Sequence, residues 1–131
     1  MDKLPPSFNW VQARHACSPR SIFELLKIGA AEDIKFINEL RGKEQFTLVS
    51  DPSVELFSVI RVGSDPERLV NFSIADTELS IKPSIGSSFR VTLALNSSGE
   101  CKVKIKGRDE ELELWQLLRM GLEELFFDAA N

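Results

Sequence analysis

Apolar residues between positions 22 and 40 recur every three or four positions, the spacing of one face of an α-helix. Two starts compete for this helix: a capping box at Ser21–Glu24, and Ser18 followed by Pro19, a residue suited to the first helical position. Gly42 provides a stop, and Gly29 is a point where the helix bends or divides. The predicted core-facing stripe consists of Phe23, Leu26, Ala30, Ile34, Ile37 and Leu40.

From residue 45 the period shortens to two, which is typical of strands with one buried face. Turns rich in Gly, Pro, Asp and Ser separate six such runs, at 45–50, 54–62, 68–75, 78–82, 88–95 and 100–106. Short connections favour antiparallel neighbours, so the pattern predicts a meander of five or six strands. Alternation sets Leu95 opposite Cys101 and Leu93 opposite Val103, with a three-residue loop that ends at a left-handed Gly99.

A second helical pattern follows the strands. Asp109 is its predicted N-cap, and its broad apolar face consists of Leu112, Leu114, Trp115, Leu118, Leu122, Leu125 and Phe126. Three further apolar residues, Leu117, Met120 and Phe127, fall outside that face. They predict a second apolar contact, made either with the N-terminal leader or with another subunit.

These elements predict a single α+β domain over residues 1–131, with an N-terminal amphipathic helix, an antiparallel meander and a long C-terminal helix packed on one sheet face. Residues 1–17 form a leader. We expect this leader to dock on the domain through Phe8, Trp10 and Val11, because large aromatic side chains are costly to leave in water.

The strands followed by a C-terminal helix that carries Trp115 resemble the end of a pleckstrin-homology domain, over residues 108–127 and the preceding strands. The long helix before the sheet departs from that family. A small acidic chain of helix, sheet and helix is also similar to type III secretion chaperones, which are dimers that hold an effector. The helix that those chaperones place between strands is missing from the pattern, and we assign the chain to neither family.

Composition narrows the functional classes. The chain is 43% hydrophobic and 27% charged, as ordinary globular domains are, and its formal net charge of −4 provides no general attraction for nucleic acid. It shows neither a signal peptide nor an apolar run long enough for a transmembrane segment, so we expect a cytoplasmic protein. In that compartment Cys17 and Cys101 are expected to be reduced and buried.

Four cations on the last predicted hairpin share the face opposite its apolar positions: Arg90, Lys102, Lys104 and Lys106. Such a cluster suits an anionic partner such as a phosphate, a lipid head group or an acidic protein. Lysines also keep the solvent face of a sheet soluble and protect its edges. We favour this second interpretation, since no aromatic residue is interleaved with the cations.

Catalytic chemistry has little support. His15 and Cys17 raise the hypothesis of a Cys–His nucleophile, but no third group orients the pair. Asp33 lies within the angular range of the first helix's apolar stripe. It is either a buried functional carboxylate or a residue at the edge of the stripe, and we favour the second interpretation. Familiar nucleotide-binding and hydrolase motifs are missing. We therefore expect no catalytic residue, no metal and no cofactor.

The sequence does not establish a function. Its features favour a non-catalytic binding or assembly module that acts through protein–protein contacts, either with a protein partner or by self-association. The alternative is a small-ligand-binding protein or an enzyme with a cleft between the sheet and the helices. A deep, partly polar pocket beneath the first helix would favour the alternative, and an apolar surface would favour the first hypothesis.

Overall fold

The computed structural model describes residues 8–75 and 77–127. The helices α1 (Trp10–Ala16) and α2 (Pro19–Arg41) precede six strands, and the helix α3 (Leu114–Phe127) follows them. The strands are β1 (Phe46–Asp51), β2 (Leu56–Arg61), β3 (Arg68–Ala75), β4 (Glu78–Pro83), β5 (Phe89–Leu95) and β6 (Cys101–Ile105). This order confirms the predicted α+β architecture.

The six strands form one antiparallel sheet in sequence order, so the predicted meander is confirmed. The register of the last hairpin is also confirmed, with Leu95 opposite Cys101 and Leu93 opposite Val103. Gly99 has a φ of 78°, as the predicted three-residue loop requires. Alternation therefore placed the apolar side of each of these two strands on the face that the helices cover.

Helix α2 begins at the second of the two predicted starts. The Ser18 hydroxyl accepts a hydrogen bond from the Ser21 amide at 3.2 Å, and Pro19 occupies the first turn. Gly42 ends the helix with a φ of 69°. The helix passes Gly29 without interruption, and a Cβ atom there would lie 2.7 Å from Leu118 Cδ1 of α3. Gly29 thus permits a close approach of the two helices.

Helices α2 and α3 pack side by side on one face of the sheet. They run in the same direction, because Gly29 is beside Leu118 whereas Arg41, further along α2, hydrogen-bonds the Phe126 carbonyl. Packed side chains fill the space between helices and sheet. The largest of the fully buried ones are Phe46, Phe57, Phe72, Leu26, Leu79, Ile81, Leu117 and Leu122.

The segment before α3 departs from the prediction. The helix begins at Leu114 rather than at Asp109, because the preceding residues run along the edge of β6. The Leu112 amide donates to the Val103 carbonyl at 2.7 Å, and the Leu112 side chain is buried. An edge strand presents unpaired backbone groups, and this bridge satisfies one of those on β6.

The rotation of α3 about its axis also differs from the prediction. The face of α3 that packs on the sheet is centred on Gly121, where a Cβ atom would lie 3.1 Å from Ile81 Cγ2 and 3.3 Å from Phe72 Cζ. A hydrophobic wheel does not count glycine as apolar, so it misplaces this centre. In consequence Leu117 is in the core, at 0% exposure, and Trp115, which was predicted to face the core, is 61% exposed.

The prediction of reduced cysteines is wrong. Cys17, at the junction of α1 and α2, forms a disulfide with Cys101 at the start of β6. Docking of the leader against β6 brings together two residues that lie 84 positions apart. The leader is held through the buried Cys17. Of the three residues predicted to dock it, Trp10 and Val11 are exposed and Phe8 is half-buried. Residues 1–7 lie outside the described part.

Candidate functional site: the groove between α2 and α3

The outer surface of the two packed helices exposes large apolar side chains around a groove of about 450 Å³. Phe36 and Leu40 of α2 are 64% and 69% exposed, and Phe127 of α3 is 63% exposed. Trp115 completes the rim. We call this feature the helical groove; its floor consists of the side chains of Ile37, Leu118, Leu122 and Phe126. Leu40 was predicted to face the core, but it lies three residues after Ile37 and is therefore turned about 60° outward.

The two helices position these groups by their periodicity. Phe36 and Leu40 are four residues apart and lie on one side of α2, next to α3. Trp115 and Phe127 mark the two ends of α3. Twelve residues of α-helix separate them, which corresponds to a groove about 18 Å long. This length matches about three helical turns.

Arg41 lies beside one end of the helical groove, next to Phe127. Its guanidinium donates to the Phe126 carbonyl and to Gln45 Oε1, and its Cζ lies 5.6 Å from the ring centroids of Phe46 and Phe127. A cation is favourable at the carbonyl end of a helix, and guanidinium groups stack well on aromatic rings. Arg41 therefore holds the Phe127 ring at this end of the groove.

Three charged residues, Asp33, Arg119 and Glu123, also line the helical groove. Arg119 Nε lies 3.0 Å from Glu123 Oε2, so these two charges compensate each other. Asp33 makes no hydrogen bond or ion pair within the described residues. Partial burial, followed by repulsion from Glu32, raises the pKa of the Asp33 carboxyl above its ordinary value. The groove thus contains one carboxylate without a protein partner in the described part of the chain; this carboxylate is exposed to water in the free chain and lies among apolar side chains.

The predicted basic cluster on the hairpin is paired with carboxylates. Glu78 of β4 lies between two of the cations, 3.4 Å from Arg90 Nη1 and 3.2 Å from Lys106 Nζ. Lys102 Nζ lies 2.9 Å from Glu113 Oε1, and this hydrogen bond raises the pKa of Lys102. Lys104 is half-buried on β6 between these pairs. Three of the four predicted anion-binding residues therefore already have acidic partners.

The structure does not bring the predicted interface residues Leu117, Met120 and Phe127 together. Leu117 is buried against the sheet and is not accessible to a partner. Phe127 lies in the helical groove, while Met120 lines a separate groove of about 400 Å³ between α3 and the ends of β3 and β4. Leu117 therefore lies in the core, because the rotation of α3 turns it toward the sheet.

The remaining reactive groups do not form a site. The Cys17 sulfur is bonded to Cys101, so it offers no thiolate for His15 to activate. Across residues 8–75 and 77–127, no three His, Cys, Asp or Glu side chains are grouped so that they could hold a metal ion. Within the same residues, no helix is both long and apolar enough to cross a membrane.

Comparison of the chain with protein-family models, with curated proteins and with solved structures finds no match. The helical groove is therefore interpreted from its own chemistry. The sequence held one signal for it: Phe36 is a large aromatic residue beside the predicted stripe of the first helix, and it is not part of that stripe.

Proposed function

We propose that this chain is a non-catalytic protein-binding module whose helical groove receives an amphipathic helix of a partner protein. The observation that carries the proposal is the exposure of Phe36, Leu40, Trp115 and Phe127 around an apolar floor. Contiguous apolar surface rimmed by polar groups is typical of interaction sites. Grooves of this type bind the apolar face of a helix through side chains spaced three or four residues apart.

The shape of the groove supports a helix as the occupant. Two parallel helices leave between them a furrow into which the side-chain ridge of a third helix packs. The distance from Trp115 to Phe127 accommodates about twelve helical residues. Such a helix would bury the four exposed side chains and extend the helical layer.

Charge favours a different protein over a second copy of this chain. The side chains that line the groove include two carboxylates and one guanidinium, Arg41 adds a second guanidinium beside its end, and the chain as a whole has a formal net charge of −4. Two copies that met through this surface would bring together two chains of the same net charge and two unpaired Asp33 carboxylates, which opposes association. A partner with basic residues beside its apolar stripe would be attracted instead.

The packing beneath the helices gives less support to a small-ligand-binding protein or an enzyme. Apart from the groove of about 400 Å³ between α3 and the ends of β3 and β4, the space between the helices and the sheet is occupied by core side chains such as Phe57 and Leu122, which are buried. We do not propose the cytoplasmic location that the sequence predicted, because the chain contains a disulfide. The Cys17–Cys101 disulfide is typical of oxidising compartments, whereas the cytoplasm keeps most thiols reduced.

Site-specific photocrosslinking tests this function. A photoreactive p-benzoylphenylalanine would replace Phe36 or Trp115 in the groove, or Thr47, which is exposed on the other face of the sheet, as the control. In cells that naturally make the protein, we expect one discrete adduct with the same second protein from positions 36 and 115 and none from 47. The purified second protein should bind the chain and lose affinity for the Trp115→Ser variant.

Two results would contradict the proposal. Equal adducts from position 47, or no adduct from either groove position, would show that the helical groove does not bind protein in those cells. An adduct between two copies of this chain would make a second copy the occupant and would overturn the choice of a different protein.

A further inference from the structure

We infer that the partner helix presents a lysine or arginine to Asp33, so that the helical groove selects basic amphipathic helices. This inference rests on the proposed function and specifies the chemistry of the partner. Asp33 lies on α2 one turn before Phe36 and Ile37, in the wall of the groove that α2 forms opposite α3. A helix seated on Phe36 and Trp115 would therefore cover its carboxylate.

Among residues 8–75 and 77–127, no group is available to neutralise Asp33. From α3, the charged side chains that share the groove are Arg119 and Glu123, and they are bonded to each other at 3.0 Å. On α2, the neighbour that acts on Asp33 electrostatically is Glu32, which has the same sign. In the described part of the chain no cation lies within 4.0 Å of the Asp33 carboxylate.

Covering an unpaired carboxylate with apolar surface is unfavourable, because the charge loses water and gains no partner. A wholly apolar helix would therefore leave Asp33 buried and ionised, or would require it to take up a proton. A partner ammonium or guanidinium group removes this penalty. The acidic group thus works against apolar helices that lack a cation, which provides specificity beyond the hydrophobic contact.

Selection of peptides tests the inference with a defined probe. A phage library of sixteen-residue peptides, randomised on a helical template, would be selected against the full chain with its disulfide intact. We expect peptides with apolar residues three and four positions apart and with Lys or Arg at one fixed place. On the Asp33→Lys variant the fixed place should change to Glu or Asp.

Affinities of a selected peptide then separate the groove from its charge. We expect Asp33→Asn to weaken binding about twofold to fivefold, as loss of an exposed ion pair does. The Glu32→Gln control removes an equal charge from the adjacent position, outside the groove lining, and should change the affinity less than twofold. Replacing the peptide's basic residue by Gln should abolish the difference between wild type and Asp33→Asn.

The outcomes distinguish the two proposals. If selected peptides require Phe36 and Trp115 but bind Asp33→Asn and wild type equally, the helical groove stands and the inferred cation is wrong. If every peptide enriched on the wild type also binds a variant with both Phe36→Ser and Trp115→Ser, the proposed function and the inference both fail.

Discussion

The two faces of the helical layer contain the same kinds of residue in opposite environments. On the inner face, Leu26 and Leu117 are fully buried against the sheet. On the outer face, Phe36, Leu40 and Trp115 are mostly exposed. Both faces are rich in large apolar side chains, so composition does not distinguish them; what differs is whether the chain itself provides a surface to cover them.

Because of this difference, side chains on the two faces contribute to different free energies, one of folding and the other of binding. Burial of inner side chains contributes to the free energy of folding, at about 25 cal/mol per Å² of apolar surface. The outer side chains contribute little of this in the free chain, since most of their surface remains in water. Their contribution is therefore expected in the free energy of binding, and substitutions on the two faces should separate stability from association.

The largest expected effect is on the inner face. Leu117→Ala removes a fully buried side chain and leaves a cavity, so it should lower the free energy of unfolding by about 2–5 kcal/mol. Urea denaturation followed by circular dichroism measures this loss. A change below about 1 kcal/mol would show that Leu117 is not packed in the core and would return it to the outer face.

Gly121 tests how closely the inner face approaches the sheet. A valine there would place its Cβ against Ile81 and Phe72, both fully buried, and should lower the free energy of unfolding by about 1–3 kcal/mol. Gly29→Ala is the control on α2, because the close atom there is the flexible end of Leu118 and alanine also favours helix. If both variants are equally stable, α3 does not pack on the sheet through Gly121.

On the outer face, substitution should leave the fold unchanged. Serine has a helix propensity similar to those of phenylalanine and tryptophan, so Phe36→Ser and Trp115→Ser should each change the free energy of unfolding by less than about 0.5 kcal/mol. The same urea titrations provide the measurement. Losses comparable to that of Leu117→Ala would mean that these side chains stabilise the fold, and the contrast between the faces would disappear.

Much of the fold was predictable because periodicity records burial. Strict alternation in residues 89–105 was sufficient to establish the pairing of Leu95 with Cys101, since a shift by one residue would turn every apolar side chain outward. Ser18, as one of the two predicted starts, and the stop at Gly42 were recognisable for a different reason: each satisfies a local requirement of the backbone.

The candidate site was less predictable because it depends on contacts between elements. A helical wheel placed Trp115 in the core, since it could not show that α3 approaches the sheet at Gly121. The pairing of Cys17 with Cys101 depends on where the leader docks, and that position has no local signature. Glu78 could be identified as the partner of Arg90 only from the register of β4 and β5, in which the two residues are diagonal neighbours.

The smallest effect concerns Asp33 and depends on pH. Partial burial and Glu32 raise the pKa of Asp33 above its ordinary value of 3.8, so the folded chain holds this proton more tightly than the unfolded chain does. The contribution of Asp33 to stability is therefore most favourable below pH 3.8 and is lost as the pH rises through the raised pKa. Asp33→Asn removes the ionised group, and should increase the free energy of unfolding at pH 7, by about 0.5 kcal/mol or less, with no gain near pH 3.

The control is Glu32→Gln, which removes the lesser of the two causes of the raised Asp33 pKa and should give a smaller gain in the same direction. Paired urea titrations at the two pH values measure these differences. If Asp33→Asn is less stable than wild type at pH 7, Asp33 already has a favourable partner in the free chain. The helical groove would then contain no unpaired carboxylate for a partner protein to neutralise.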